Sequence, residues 1–175
     1  MPLEILKLSS TPPSEQPALS AGARRIFEET APSLRTLSAE DQLRFERKYF
    51  GIYLENPEWI FLAINSGQIL GYLAGAPLTL PVHFSLNPYL ERFRSEIEQD
   101  FPAHLHLNLT EGARGMGLGT KLISRFLFEL RTLEPFPCGV HIVTSPDSEN
   151  VRFYLKNGFE RTKQSGNFTL IGKHL

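Results

Sequence analysis

The sequence is poor in cysteine and in charge of one sign. Cys138 is the single cysteine among 175 residues, which excludes an internal disulfide framework and a multi-cysteine zinc site. Such cysteine usage suits a reducing compartment. Eighteen Lys and Arg residues oppose 19 Asp and Glu residues, for a net charge of -1. A nucleic-acid-binding protein usually shows a basic excess, so we expect no nucleic-acid partner.

The chain also lacks a long hydrophobic run. Its longest uninterrupted apolar stretch covers residues 59–64, whereas a membrane-spanning helix needs roughly 20 such residues. Residues 1–5 do not form a basic segment followed by an apolar stretch, so no signal peptide is predicted. We therefore expect no membrane partner and a cytoplasmic location.

The composition is sufficient for a buried core. Hydrophobic residues make up 41% of the chain and aromatic residues 11%, as in globular proteins. The length fits one domain, which we place over residues 1–175. The succession of apolar patterns predicts a mixed α/β fold of the α+β type.

The apolar spacing predicts the elements in chain order. They are a strand within residues 3–8, a helix over 18–30, a helix after Ser38, a hairpin of 59–64 and 69–76, a loop-helix insertion over 77–102, a strand over 103–109, a helix over 117–133, a strand over 139–144, a helix over 147–157, and a hairpin of 159–163 and 167–171. Ser38 and Asp147 are the predicted N-caps. Leu43 is assigned to a buried stripe, and Gly71 to a bulge or a close approach.

A glycine-rich turn between the 103–109 strand and the following helix is the most informative segment. It reads Arg114-Gly115-Met116-Gly117-Leu118-Gly119-Thr120. Glycines let successive backbone amides point to one side, and the start of a helix adds partial positive charge there. Together these properties predict a phosphate or pyrophosphate site.

Two familiar phosphate motifs do not fit this turn. A dinucleotide fingerprint needs a third glycine where Thr120 stands, and a P-loop needs a lysine where Leu118 stands. What remains is an R-x-x-G-x-G pattern. The alternative is a glycine turn with packing duties alone.

A second motif lies about 40 residues further on. It runs from Val151 to Phe159 and contains Tyr154, Gly158 and Phe159 as a Tyr-x-x-x-Gly-Phe pattern. With the glycine turn before it, the chain resembles the GNAT superfamily of acetyl-coenzyme A-dependent N-acetyltransferases. The resemblance implies a mixed, mostly antiparallel sheet of about six or seven strands flanked by helices on both faces.

A narrower resemblance rests on residues 102–109 and 170–173. These segments are similar to bacterial acetyltransferases that resemble the C-terminal acetyltransferase-like domain of O-GlcNAcases. Some members of that group are suspected of being inactive. The rival to an enzyme is therefore a GNAT-like module that binds CoA or a protein partner.

The GNAT resemblance implies a set of residues that bind acetyl-CoA, the only cofactor expected. The pyrophosphate is expected on the backbone of Arg114, Gly115, Met116, Gly117, Leu118, Gly119 and Thr120. Leu107 and Leu109 are expected to offer strand backbone to the pantetheine arm. The family's usual asparagine before Tyr154 is Asp147 here, and Asn150 is the substitute candidate.

Tyr154 and His106 are the candidate catalytic residues. Tyr154 resembles the family's tyrosine that donates to the departing thiolate; without the motif it would be a core residue. His106 has the ordinary pKa of a general base and shares a strand face with His104. These two histidines also fit a structural pair or metal ligands, but no third ligand stands nearby, so no metal is expected.

No sequence motif identifies the acceptor amine. Oligomeric state is also open, and the aromatics Phe84, Tyr89 and Phe93, expected to be exposed, fit a pocket lid or a homodimer contact.

Overall fold

A computed structural model describes residues 3–175. Met1 and Pro2, at which the stretch inspected for a signal peptide begins, lie outside this range. The contacts of the chain define two compact units. Unit 1 comprises residues up to Gly75 and His106–Phe128, and unit 2 comprises Ala76–Leu105 and Glu129–Leu175.

Residues 3–175 form seven strands and six α-helices, joined by loops and short 3-10 turns. The strands are β1 (Glu4–Lys7), β2 (Ile60–Asn65), β3 (Gln68–Ala76), β4 (Ala103–Leu109), β5 (Gly139–Thr144), β6 (Glu160–Ser165) and β7 (Phe168–His174). The helices are α1 (Gln16–Thr30), α2 (Ala39–Tyr49), α3 (Pro81–Leu86), α4 (Arg94–Gln99), α5 (Leu118–Leu130) and α6 (Asn150–Lys156). Every helix within the described range is too short or too polar to span a bilayer.

The strand order is β1-β2-β3-β4-β5-β7-β6. The β1–β2, β2–β3, β5–β7 and β6–β7 pairs are antiparallel, and the β4–β5 pair is parallel. This sheet confirms the predicted mixed, mostly antiparallel α/β architecture. The strand predicted over residues 103–109 is β4, with the same bounds, because strict alternation of apolar and polar residues is a strong strand signal.

The β2–β3 hairpin has a tight turn at its tip and a β-bulge further along. Ser66 and Gly67 both have positive φ, 50° and 78°, as a two-residue type I′ turn requires. Further along, Ala63 faces Gly71 while Ile64 faces Ile69. The unpaired residue between them makes the expected bulge.

Gly71 is also the predicted site of a close approach. A Cβ added there would lie 2.8 Å from the carbonyl oxygen of Asn108 on β4. A side chain at this position would therefore push β4 away from β3.

Helix α2 begins as predicted and packs differently. The Asp41 amide donates to the Ser38 hydroxyl at 3.2 Å, which confirms Ser38 as the N-cap. Leu43 is 70% exposed, so its assignment to the buried stripe is wrong. Leu43 lines an open groove beside α1, whereas Phe45 and Tyr49 of the same helix are half-buried and pack against each other at 4.6 Å between ring centroids.

Helix α5 has the apolar stripe predicted for it. Leu122, Ile123, Phe126, Leu127 and Leu130 are all buried. In unit 1 the Phe126 ring meets Trp59 and Phe61 edge-on at 5.9 and 6.1 Å between ring centroids.

The 77–102 insertion contains α3 and α4 with a 3-10 turn between them, where a loop followed by one helix was expected. Phe84 and Phe93 are 4% and 0% exposed, so their expected exposure is wrong. They pack with Leu90, Ile97 and Leu170 in a core cluster of unit 2. This burial removes both aromatics as a dimer contact.

Helix α6 starts later than predicted. Glu149, not Asp147, occupies the N-cap position, and it makes no side-chain capping bond. The Asp147 prediction is wrong because residues 145–148 form a separate turn, in which the Ser148 amide donates to the Ser145 carbonyl. At the other end Gly158 has a φ of 77°, which confirms it as the residue that ends the helix.

His141 on β5 is a buried titratable group of unit 2. It is 2% exposed, and its Nδ1 lies 2.6 Å from the Phe101 carbonyl oxygen. Burial lowers its pKa to about 4, because desolvation disfavours the charged imidazolium. His141 is therefore neutral at pH 7.

We expect His141 to make the fold acid-sensitive. The unfolded imidazole, with an ordinary pKa near 6.5, binds a proton before the folded one, so stability is complete above pH 6.5 and falls toward pH 4. The loss between pH 7 and pH 5 is about 2 kcal/mol. Urea midpoints at both pH values measure it. His141→Gln should show a smaller difference between them, and His174→Gln, on an exposed residue, should match the wild type. An unchanged difference in His141→Gln would contradict the assignment.

Candidate active site

The glycine turn lies in unit 1, between β4 and α5. Gly115 and Gly117 have φ values of 76° and 75°, a region that side chains other than glycine disfavour. A Cβ built at either position meets no atom within 4 Å. The two glycines are thus required by backbone conformation, and the space beside the turn is open.

The turn presents unpaired backbone donors to that space. Helix α5 begins at Leu118, so the amides of Leu118, Gly119 and Thr120 belong to its first turn and have no acceptor within the helix. The Lys121 amide is the first that bonds back, to the Gly117 carbonyl at 3.2 Å. Leu118 is 1% exposed and anchors the helix start in the core. Amides without an acceptor in the helix, together with the helix dipole, suit a diphosphate.

The side chains of the turn contribute less than its backbone. Arg114, Gly115, Gly117 and Thr120 are exposed, and Gly119 is buried. Met116 is 59% exposed. The seven predicted residues of the turn therefore form one continuous segment whose outer surface is backbone and solvated side chains, as a phosphate site requires.

The end of β4 within unit 1 leads directly into this turn. Leu107 and Leu109 are half-buried on one face of the strand. The amide of Thr110 donates to the Leu70 carbonyl at 2.9 Å, which fixes this end of β4 beside β3. The role of Leu107 and Leu109 toward pantetheine stays a prediction.

His106 lies on the opposite face of β4 among aromatic rings. Its imidazole meets Tyr49 at 5.5 Å and Tyr53 at 5.4 Å between ring centroids, both edge-on. His106 is half-buried. Burial, and to a lesser degree Tyr72 and Tyr49, raises the pKa of the Tyr53 hydroxyl, so Tyr53 stays protonated. The two tyrosine rings contact the His106 imidazole and leave part of it accessible.

Asn108 shares that face and bonds to Tyr72. Its side-chain amide donates to the Tyr72 hydroxyl at 2.8 Å. The pKa of the Tyr72 hydroxyl is raised, chiefly because the residue is buried. The hydrogen bond with Asn108 opposes this shift, and the charge of Glu46 adds to it. Tyr72 is fully buried, so the pair forms a fixed polar point two residues from His106.

Sequence reasoning missed the tyrosines of this face. Tyr49, Tyr53 and Tyr72 come from three different segments of the chain. For Tyr72 alone did the sequence indicate a direction, because residues alternate between the two faces of a strand. Contact with His106 and Asn108 is a property of the tertiary fold.

His104 and His106 have separate environments although they share a strand. His104 belongs to unit 2, is 7% exposed, and lies 2.8 Å from the Thr79 hydroxyl through Nδ1. Its ring centroid is 4.5 Å from that of His83 and 5.7 Å from that of His141. His104 is therefore a packed structural residue. Within residues 3–175 no group of three or more His, Cys, Asp or Glu side chains is arranged to hold a metal ion.

Tyr154 lies on α6 in unit 2. It is 5% exposed, between the rings of Phe153 at 5.2 Å and Phe159 at 5.4 Å. Burial raises the pKa of its hydroxyl. That hydroxyl has no hydrogen-bond partner among residues 3–175, whereas a buried tyrosine hydroxyl usually has one.

Asn150 is the first residue of α6. It is exposed, and its side-chain oxygen accepts a 3.4 Å hydrogen bond from Thr144. Its role toward the cofactor stays a prediction.

The model of the acetyltransferase (GNAT) family matches residues 22–159. The chain belongs to this family. Comparison with curated proteins finds no significant match.

Solved structures share the fold at low sequence identity. A structure named SsHAT has a TM-score of 0.74 at 22% identity, over 99% of this chain and 98% of that one. An agmatine N-acetyltransferase mutant gives 0.70 at 13% identity, over 99% of both chains. The PaiA N-acetyltransferase of Thermoplasma acidophilum, in complex with coenzyme A, gives 0.62 at 15% identity over the whole of both chains. These likenesses establish the GNAT fold.

Proposed function

We propose that the protein is an acetyl-CoA-dependent N-acetyltransferase that transfers the acetyl group directly to an amine of a small molecule or protein. The proposal treats residues 1–175 as one GNAT domain acting in the cytoplasm. The observation that carries it is the glycine turn, where two positive-φ glycines with open space beside them precede the first amides of α5, which have no acceptor within the helix.

The chain's own groups account for binding and proton movement. The backbone of residues 114–120 would hold the pyrophosphate, Leu107 and Leu109 the pantetheine arm, and Asn150 a further polar contact. Acetyl-CoA supplies an acetyl thioester when it is bound. Holding two substrates in a reactive orientation is the main catalytic contribution.

His106 and Tyr154 would handle the protons. An alkylammonium with a pKa near 10 must lose a proton before it attacks, and His106, half-buried beside two tyrosines, would accept it. Transfer would form the amide C–N bond and break the thioester C–S bond, and the second proton that the amine nitrogen loses would balance the proton that the thiolate takes up. The Tyr154 hydroxyl, which lacks a partner in the described chain, would donate to that sulfur.

The narrower branch of the family is part of the proposal. Residues 102–109 and 170–173 support a place beside the bacterial acetyltransferases that resemble the C-terminal domain of O-GlcNAcases. The rival function is a catalytically weak or inactive GNAT-like module that binds CoA or a protein partner. Titration calorimetry with acetyl-CoA, CoA and dephospho-CoA tests the cofactor: micromolar binding, about 8 kcal/mol, supports it, and no binding at millimolar acetyl-CoA overturns it. Thiol release with a panel of amines then separates the enzyme from a module that binds CoA without turnover.

Gly117→Ala should weaken acetyl-CoA binding by about 10-fold or more, because alanine disfavours the φ that aims the turn's amides. Gly67→Ala is the matched control: Gly67 has a φ of 78° and the same open space around a built Cβ, in the β2–β3 turn. Both variants should lose similar stability, and only Gly117→Ala should lose affinity in calorimetry. Equal affinities would contradict the phosphate assignment.

Tyr154→Phe should lower kcat by about 10- to 100-fold and leave acetyl-CoA affinity nearly unchanged, because it removes only the hydroxyl proton donor. Thiol release measures kcat. Tyr89→Phe, which removes a hydroxyl bonded to Asn87, is the control and should retain turnover. Full turnover in Tyr154→Phe would make Tyr154 a core residue.

His106→Gln should lower kcat by about 100-fold near neutral pH and recover activity as the pH rises, since the amine then arrives without its proton. The pH profile of kcat measures this. A profile parallel to the wild type would assign the base elsewhere.

A further inference from the structure

Residues 170–173 include a side chain, that of Lys173, which the proposed site does not use. They lie on β7, which pairs with β5 on one side and β6 on the other. Leu170 and Ile171 are fully buried. Lys173 is half-buried and pairs with Val140 of β5. Its backbone is therefore fixed inside the sheet of unit 2.

The Lys173 ammonium lies at the C-terminal end of α6. Its Nζ donates to the Asn157 carbonyl oxygen at 2.7 Å and lies 5.9 Å from the centroid of the Phe159 ring. A Cβ built at Gly158 would lie 2.8 Å from this Nζ, so a side chain there would displace the ammonium. Lys173 forms no ion pair with a carboxylate of residues 3–175. Its polar partner in the described chain is therefore the end of the helix.

Helix α6 needs such a contact from outside. It has seven residues, whereas an isolated helix shorter than about 12 residues is marginal in water. Its N-cap residue Glu149 makes no side-chain capping bond. The last carbonyl groups of a helix have no donor within it. A lysine at that end supplies a donor and meets the negative end of the helix dipole.

Tyr154 is bonded to the same end of the helix. Its carbonyl oxygen accepts hydrogen bonds from the Asn157 amide at 2.9 Å and from the Phe159 amide at 3.1 Å. Its ring centroid lies 5.4 Å from that of Phe159. Both residues that contact the Lys173 ammonium therefore contact Tyr154 as well, and a shift of the helix end would move the Tyr154 ring with it.

We propose that Lys173 is a positioning residue whose ammonium fixes the end of α6 and thereby holds the Tyr154 hydroxyl in place. The inference rests on the proposed acetyl transfer, in which Tyr154 donates to the departing sulfur, and it adds the residue that keeps this donor aligned. Lys173 acts on the position of Tyr154 and not on its charge, because burial alone raises the pKa of the Tyr154 hydroxyl.

The substitution Lys173→Met removes the ammonium and keeps the length of the side chain. Hydrogen exchange of the Gly158 and Phe159 amides should become about 10-fold faster in the whole protein, because a charged hydrogen bond that holds the helix end is lost. The NMR resonances of the Tyr154 ring, assigned by their loss in Tyr154→Phe, should shift. Unchanged exchange together with unchanged ring resonances would overturn the proposal.

Two further variants separate the hydrogen bond from the charge. Lys173→Arg keeps a donor and should restore slow exchange and the Tyr154 resonances. Lys156→Met is the matched control, because Lys156 is an exposed lysine in the last turn of the same helix. It removes the same charge from the helix end and should leave both readouts unchanged. Equal effects of Lys156→Met and Lys173→Met would contradict a positioning role.

Turnover tests whether this position matters for the reaction. Lys173→Met should lower kcat by about 5- to 10-fold and change the KM for acetyl-CoA by less than about 2-fold, because the pyrophosphate is assigned to the glycine turn. In a Tyr154→Phe background the same substitution should lower kcat little further, since the group that it positions is absent. A residue that only stabilises the fold would lower kcat by the same factor in both backgrounds, and that result would overturn the proposal.

The two proposals fail separately. If no amine is acetylated, the transferase proposal fails, and the exchange rates and ring resonances still decide whether Lys173 holds Tyr154. If amines are acetylated while Lys173→Met leaves the Tyr154 resonances unchanged, or lowers kcat equally in both backgrounds, the transferase proposal stands and the assignment of Lys173 fails.

Discussion

The polar side chains on one face of β4 impose the main constraint on this protein, because a covered polar group must have a partner. His104 lies against the Thr79 hydroxyl, His106 between the rings of Tyr49 and Tyr53, and Asn108 bonds to Tyr72. Each partner comes from a different segment. Within unit 2 His104 thus contacts the loop before α3, and within unit 1 His106 and Asn108 contact the end of α2 and β3.

The glycine turn that follows β4 has the opposite property, because polar backbone groups there lack partners. At the start of α5 the backbone amides are left without partners, because the first turn of any helix has none inside it. Gly115 and Gly117, which precede these amides, have positive φ angles. One strand therefore joins a face whose polar side chains have partners to a turn whose first helical amides have none.

The sequence-based predictions fail where hydrophobic periodicity does not show what packs against a residue. Leu43 has helical spacing to the core residues of α2, but a groove and not a core faces it. Phe84 and Phe93 lie in an insertion rich in proline and were expected outside, yet they form a cluster with Leu170 of β7. Asp147 is a good capping residue that lies two residues too early, because the local turn at 145–148 delays the helix.

The sequence alone determined the elements and the glycine turn, because alternation, helical spacing, capping residues and glycine conformation are local properties of the chain. It therefore specified β4, the hairpins, the buried stripe of α5 and the family. The tertiary structure decided which polar residues meet. It separated the environments of His104 and His106, brought three tyrosines to one strand face, and formed the groove beside α1, because those contacts join residues distant in sequence and depend on packing that no local pattern encodes.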